Sequence, residues 1–242
     1  GQSVIIGVAG AGQEVSTGGM DGDWMLCAFV ERVVHEGIHA QTVGPTFGWK
    51  GRYPNLLDAG AVARFIEITH GAYAGHLGPE LLSKIEAIYS NEPSLKPHWF
   101  APGYRPGGEA YVPWVASLPD TFREMHGYDL LPRMGELFSE KAGEYSRPRL
   151  HFYQTVGAIM AESYAGQIAR WCRRHGTRLT GHILAEELIC YHPSLYGDFF
   201  RQIQGFDLPG ADMAILQPDE TAAGRFIGVR FVSSAARAAG KR

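Results

Sequence analysis

The stretch KIEAIYSNEPSL, residues 84–95, decides the fold class. It begins as a short apolar run and ends abruptly in Asn91, Glu92 and Pro93. A buried strand that ends in an amide and a carboxylate is typical of parallel sheets, in which polar groups collect at the carboxyl ends of the strands. We therefore interpret residues 85–89 as a parallel strand that carries Glu92 at its polar end.

Two further segments repeat this pattern, and a helical pattern follows each strand. TRLTGHIL (177–184) runs into two adjacent glutamates, and PGADMAIL (209–216) runs into Gln217. A long helix is predicted from near Pro148 to Gly176, a short one in YGDFFRQIQGF and a last one in GRFIGVRFVSSAARAAG. Alternating strands and helices predict a parallel sheet, and in a (β/α)8 barrel the active site lies at the carboxyl ends of the strands.

The number of strand–helix units is smaller than a closed barrel requires. Asp58 is a predicted N-cap ahead of a helical pattern over residues 59–77, which brings the total to three or four units against the eight of a closed barrel. We therefore predict an α/β fold with a partial (β/α)8 TIM-type barrel over residues 51–242, belonging to a larger multidomain chain. Residues 1–50, with apolar runs at 3–9 and 24–34, are predicted to form a β-rich segment.

Composition and charge exclude several classes of function. The 242 residues are 45% hydrophobic and 19% charged, which is typical of a folded globular protein. The net charge of -3 gives no electrostatic reason to expect nucleic acid or an anionic membrane as a partner. No apolar run approaches the ~20 residues of a membrane-spanning helix. Three scattered cysteines, Cys27, Cys172 and Cys190, indicate neither a disulfide framework nor a metal pair.

Glu92 is the leading catalytic candidate. Glycosidic bonds are cleaved by two carboxyl groups, one of which protonates the leaving oxygen, and a pocket at a strand end raises the pKa of such an acid. Glu187 or Glu186 is the candidate for the second group, as base or nucleophile. The residues predicted to contact the sugar are Asn91, His182, Trp99, His192 and Asp198. The purely structural alternatives are a turn at Asn-Glu-Pro and a favourable helix-dipole charge at the glutamate pair.

Two other functions use the same residues. Five side chains around one loop would suit a divalent metal in a metal-dependent hydrolase: His182, Glu186, Glu187, His192 and Asp198. Their spacing does not match a helix-borne zinc motif such as HExxH, so substrate hydrogen bonding by the histidines is the simpler hypothesis. The second alternative is a non-catalytic carbohydrate-binding protein, in which the pocket still binds sugar but lacks half of the catalytic machinery.

Six segments together resemble one family of enzymes: NLLDAGAVARFIEITHGAY, IYSNEPS, MHGYDLLPRMGELF, YAGQIARWCRRHGTRLTGHILAEE, GDFFRQIQGFDLPGADM and FVSSAARAAGKR. In this order they are similar to the barrel domain of large bacterial glycoside hydrolases, in particular the α-L-rhamnosidase-like glycoside hydrolase family 106 and its relatives. The resemblance covers residues 53–242, with a weaker likeness over the β-rich start.

The resemblance implies a multidomain enzyme, secreted or periplasmic, that acts on plant-type or bacterial polysaccharides with inversion of configuration. It implies two carboxylates in the barrel and assigns the role of strand-end acid to Glu92, the glutamate of SNEP. Relatives carry another glutamate beyond the segment that corresponds to FVSSAARAAGKR, so the second carboxylate is either Glu187 or a residue outside this chain. Calcium is reported for some members and is a possible cofactor.

Overall fold

A computed structural model describes residues 13–16, 18, 21–23, 26–31, 54–95, 112–138, 146–212 and 227–241. These residues contain three parallel strands, β1 to β3, and eight α-helices, α1 to α8, together with shorter helical turns and loops. In chain order the elements are α1 (Ala59–Leu82), β1 (Ala87–Asn91), α2 (Leu118–His126), α3 (Met134–Leu137), α4 (Arg147–Met160), α5 (Gln167–Arg174), β2 (Arg178–His182), α6 (His192–Tyr196), α7 (Phe199–Gly205), β3 (Leu208–Pro209) and α8 (Ile227–Ala238).

The sheet has the strand order β1–β2–β3, and both pairings are parallel, as the sequence predicts. Asn91 lies opposite His182 at the carboxyl ends of β1 and β2. The described residues therefore form a mixed α/β fold with a small three-stranded parallel sheet, and they do not include the eight strands of a complete barrel. β1 begins and ends two residues later than the predicted strand over 85–89, and most of the predicted strand over 209–216 lies outside the described residues.

Helix α1 begins where its cap predicts, and its regular helical backbone is interrupted directly after the predicted end at residue 77. The Asp58 carboxylate accepts hydrogen bonds from the backbone N–H groups of Gly60 and Ala61, which have no partner within the helix. Gly78 adopts φ 68° and ψ 168°, which are not helical values, so the second part of α1, up to Leu82, follows a kink at this glycine.

Helices α4 and α5 form one long helix that a π-helical segment, Ala161–Gly166, joins. The Ser146 hydroxyl accepts from the Arg149 N–H at the start, with Pro148 in the first turn. Gly176, with φ 73°, follows the last turn, so both predicted ends are confirmed. The buried face packs into the main core through Phe152, Val156, Met160 and Ile168.

The two faces of the sheet have different surroundings. Ser90 is buried and hydrogen bonds to the Tyr164 hydroxyl of the π-helical segment at 2.9 Å, and Leu179 is fully buried in the core. Side chains alternate along a strand, so Tyr89 and Asn91 point to the opposite face, where both are exposed. Helices therefore cover one face of the sheet, while the other carries the polar side chains at the carboxyl ends.

The β-rich start is corrected where the structure describes it. Residues 26–31 have neither helix nor strand, so the predicted strand over 24–34 is wrong for these six residues. No sheet buries their apolar side chains: Leu26 is 70% exposed and Val30 is 80% exposed. The rest of that strand and the run at 3–9 lie outside the described residues, and the division of the chain at residue 50 stays a prediction. In the described part of the chain, no helix has the length and apolar character to cross a membrane.

A stacked histidine pair joins α2 to α4 and predicts acid sensitivity. The rings of His126 and His151 lie 4.0 Å apart and almost parallel, and His126 Nε2 lies 3.0 Å from the Thr155 hydroxyl. Burial, and then the nearby His151, lower the pKa of His126 below 6.5. The unfolded chain therefore binds the proton first as pH falls, so stability present above pH 6.5 is lost as pH decreases towards the folded pKa. We expect His126 to contribute a decrease in the thermal midpoint between pH 7.5 and 5.5, so that acid lowers the midpoint of the parent more than that of His126→Gln. An equal decrease in both proteins would contradict this assignment.

Candidate functional site

The carboxyl ends of β1 and β2 bring three predicted site residues into direct contact. The imidazole of His182 lies between two partners: Nδ1 is 3.0 Å from Glu186 Oε1, and Nε2 is 3.1 Å from Asn91 Oδ1. His182 and Glu186 are each only 2% exposed, whereas Asn91 is exposed at the rim of the sheet. The histidine is therefore held in a fixed orientation by one residue from the loop after its own strand and one from the neighbouring strand.

Backbone strain marks both loops that follow these strands. Glu92 adopts φ 47° and Ala185 adopts φ 59°, and they are the two non-glycine residues with positive φ in the described part of the chain. Left-handed conformations are costly for residues with a Cβ and tend to cluster at functional sites. One strained residue is the leading catalytic candidate, and the other directly precedes Glu186.

One carboxylate oxygen of Glu186, Oε1, has two hydrogen-bond partners. Besides His182, Oε1 accepts the backbone N–H of Asp212 at 3.2 Å. Asp212 follows β3, and its carboxylate is close enough to act on His182. Helix α8 closes over this glutamate, since a Cβ on Gly228 would lie 3.2 Å from the Glu186 Cβ. Glu186 thus connects the loop after β2 to the segment after β3, inside the protein.

The electrostatics of the site favour a charged histidine. Burial opposes the charging of His182, but the hydrogen bond and charge of Glu186, together with the charges of Glu92 and Asp212, outweigh burial and raise the pKa of His182 above 6.5. With Asn91 oriented in this way, both ring nitrogens face oxygen acceptors, Glu186 Oε1 and Asn91 Oδ1, an arrangement that the doubly protonated imidazolium ring satisfies. The geometry and the carboxylates of Glu92, Glu186 and Asp212 therefore both favour the protonated ring.

This electrostatic coupling predicts that Glu186→Gln lowers the pKa of His182. A folded pKa above the unfolded value of 6.5 gives stability that is complete below pH 6.5 and is lost as pH rises through the folded pKa. We expect NMR titration of the ring to show a lower pKa in Glu186→Gln, and this pH dependence of stability to weaken. Glu67→Gln, at an exposed ion pair on α1, is the matched control. A His182 pKa that does not change in Glu186→Gln would contradict the coupling.

One cluster among the described residues has the geometry of a metal site. Ligand atoms of Glu92, His182 and Asp212 all lie within 4.8 Å of one another. Calcium takes six to eight oxygen ligands, and two carboxylates with an imidazole do not provide them. Both nitrogens of His182 also already have hydrogen-bond partners, Glu186 and Asn91. The described residues therefore do not fit the calcium that the family resemblance implies.

The remaining predicted residues have different surroundings. His192 is buried, its Nε2 lies 3.2 Å and 3.1 Å from the carbonyls of Ala185 and Glu186, and its ring stacks on Phe199. Burial lowers the pKa of His192, so a neutral ring supports the loop that carries Glu186. Asp198 caps α7 by accepting the Arg201 N–H. These contacts are structural, and the predicted substrate-binding roles of His192 and Asp198 remain predictions.

The predicted roles of two residues, Glu187 and Trp99, are not tested by the structure. Glu187 is half-buried next to Glu186, and its catalytic role remains a prediction. Trp99 lies outside the described residues.

Sequence reasoning missed two residues at this site, Asp212 and Tyr89. Asp212 follows β3 just as Glu92 follows β1, so the rule that selected Glu92 also selects Asp212 once β3 is known to end at Pro209. The predicted strand over 209–216 hid this by placing Asp212 inside a strand. Tyr89 was assigned to a buried strand, whereas it is 61% exposed and its ring centroid lies 6.1 Å from that of His182.

Comparison with known proteins gives a similarity of fold. No protein-family model matches the chain, and no curated protein matches it. Among solved structures, it is similar to a rhamnosidase from Novosphingobium sp. PP1Y, with 18% sequence identity and a TM-score of 0.54. The match covers 77% of this chain and 16% of that chain. This chain therefore shares a rhamnosidase-like fold with a small part of a much longer protein.

Proposed function

We propose that this chain is part of a glycoside hydrolase that acts on α-L-rhamnosides, with the three strands belonging to a (β/α)8 barrel of the family 106 type. The observation that carries the proposal is the contact of Asn91, His182 and Glu186 beside Glu92, at the carboxyl ends of adjacent parallel strands. Ligand sites of parallel α/β folds lie at this edge. The similarity of fold to part of a rhamnosidase supports the same reading.

In this proposal Glu92 is the general acid: it donates its proton to the glycosidic oxygen, which leaves as a hydroxyl group, and Glu92 becomes a carboxylate. The imidazolium of His182 offsets the negative charge of the neighbouring carboxylates, so that several acids coexist in a small volume. Glu186 is a positioning residue, because it is buried and engaged with His182 and the Asp212 N–H. Asn91 lies at the exposed rim, where its amide is available to a sugar hydroxyl.

The position of Asp212 limits its role. Inverting glycosidases keep their two carboxyl groups about 6.5–9.5 Å apart to admit a water molecule. Glu92 and Asp212 each have a carboxylate oxygen within 4.8 Å of the other, a closer approach than is typical of an inverting pair. We therefore propose that Asp212 contacts a sugar hydroxyl, and we retain Glu187 as the candidate for the second catalytic carboxylate.

Hydrolysis of a panel of aryl glycosides, α-L-rhamnoside included, tests the proposal. We expect release of the aryl group from the rhamnoside, at a rate that a chelator does not change. Activity that a chelator removes and zinc restores would instead support a metal-dependent hydrolase, the second candidate, which the cluster of Glu92, His182 and Asp212 favours. Binding of rhamnose without hydrolysis of any glycoside would support the non-catalytic alternative.

A further inference from the structure

Tyr89 is an aromatic side chain left exposed in the middle of a strand. It is 61% exposed, although its strand neighbours Ile88 and Ser90 pack against or into the helical side of the sheet. Exposing a large aromatic ring at a central position forgoes the stabilisation that its burial would give. A ring in this position is available for contact with a ligand.

The surroundings of Tyr89 are those of the candidate site. Tyr89 and Asn91 lie two residues apart on the same face of β1. The ring of Tyr89 is tilted by 40° to that of His182, with the centroids 6.1 Å apart. Although most of the side chain is exposed, partial desolvation of the phenol raises the pKa of Tyr89, and the charges of Asp212, Glu186 and Glu92 raise it further. The phenol therefore stays protonated and can donate a hydrogen bond.

We propose that Tyr89 contacts the substrate, its ring packing against the apolar face of the sugar whose bond Glu92 cleaves, and that it helps to select neutral sugars. This inference rests on the proposed function and deepens it. A pyranose presents C–H groups on one face, and a 6-deoxy sugar adds a methyl group. Both suit an aromatic surface, because aromatic side chains contribute large apolar contact areas.

Charge supports the same choice of substrate. Glu186 and Asp212 are carboxylates near the phenol, Glu92 is the proposed proton donor, and His182 is the cation that we assign among them. The site therefore has an excess of negative charge, which disfavours a uronic acid that would bring one more carboxylate. A neutral deoxy sugar carries no such penalty. Tyr89 and the surrounding charges thus point to the same class of substrate by independent physical effects.

Kinetics of Tyr89→Ala and Tyr89→Phe test the inference, with Tyr73→Ala as matched control. Tyr73 is a tyrosine of similar exposure, 55%, on α1. We expect Tyr89→Ala to raise KM for the aryl rhamnoside about 10- to 30-fold, with a much smaller change in kcat, since an aromatic contact supplies binding energy. Tyr89→Phe retains the ring and should recover most of that loss. Tyr73→Ala should match the parent, and all variants should keep its thermal midpoint.

The outcomes separate the inference from the function on which it rests. Hydrolysis by Tyr89→Ala with the parental KM overturns the role of Tyr89 and leaves the glycosidase in place. A loss confined to kcat also overturns it, because a binding surface acts on KM. A parent that turns over the uronoside as well as the rhamnoside overturns the selection of neutral sugars. A parent that neither binds rhamnose in calorimetry nor hydrolyses any glycoside overturns both proposals.

Discussion

Glu92→Gln is expected to reduce kcat for an aryl rhamnoside by about 100-fold or more, which is the usual contribution of a positioned general acid. Glutamine has nearly the same size and shape as glutamate, and it has no proton to give to the leaving oxygen. The left-handed backbone at φ 47° strains both residues equally, so the fold is not expected to change. Initial rates at saturating substrate, with thermal midpoints of both proteins, measure the effect.

Glu86→Gln is the matched control for this substitution. Glu86 directly precedes β1, at the opposite end of the strand from Glu92, and its exposed carboxylate pairs with Arg178. Exposed ion pairs contribute about 0–1 kcal/mol to stability, so this variant should keep both its activity and its fold. Parental kcat in Glu92→Gln would remove Glu92 from the chemistry. Equal losses in the two variants would point to a general effect of removing a charge.

The elements that the sequence predicts well are those whose signals are local. A carboxylate at Asp58 satisfies N–H groups two and three residues away, and Gly176 adopts a backbone conformation that other residues avoid. Such signals act within one turn of the chain, so they can be read without knowing the rest of the fold. The end of the first helical pattern is equally local, because Gly78 has a non-helical backbone and interrupts α1 directly after residue 77.

The sequence predicted most of the residues that form the candidate site, but it did not predict which of them contact each other. Polar residues at strand ends identified Asn91, Glu92, His182 and Glu186. That His182 lies between Asn91 and Glu186 depends on the register in which Asn91 faces His182, a long-range fact that a single sequence does not contain. For the same reason Glu186 was proposed as a catalytic residue, whereas its burial and partners suit positioning.

The two residues that were missed, Tyr89 and Asp212, were missed for different reasons. Moving β1 by two residues keeps the alternation of its side chains, so the prediction could have placed Tyr89 on the face of Asn91. It did not, because an apolar run alone does not reveal which face lacks a helix. For β3 the error was larger: extending the strand over 209–216 placed Asp212 inside it, and only pairing with β2 shows that the strand ends at Pro209.

Gly181→Ala is expected to have the largest effect on stability, because Gly181 is pressed against the neighbouring strand. It lies opposite Ser90 with φ 138°, and a Cβ at this position would be 2.0 Å from the Ser90 carbonyl oxygen. That distance is far inside van der Waals contact, so β1 and β2 would have to separate. We expect a loss of at least about 4 kcal/mol in the free energy of unfolding, in the range of the most damaging single substitutions. Denaturant unfolding measures it.

Gly75→Ala separates this packing effect from the general effect of replacing a glycine. Gly75 lies in α1, and a Cβ there would meet nothing within 4 Å. Alanine in a helix interior is better than glycine by roughly 0.5–1 kcal/mol, so this variant should be as stable as the parent or slightly more stable. His182 directly follows Gly181, so a separated β1 and β2 would also break the hydrogen bond from His182 to Asn91. A Gly181→Ala protein within about 1 kcal/mol of the parent would show that the two strands are less tightly paired than their register implies, and the geometry assigned to His182 would lose its support.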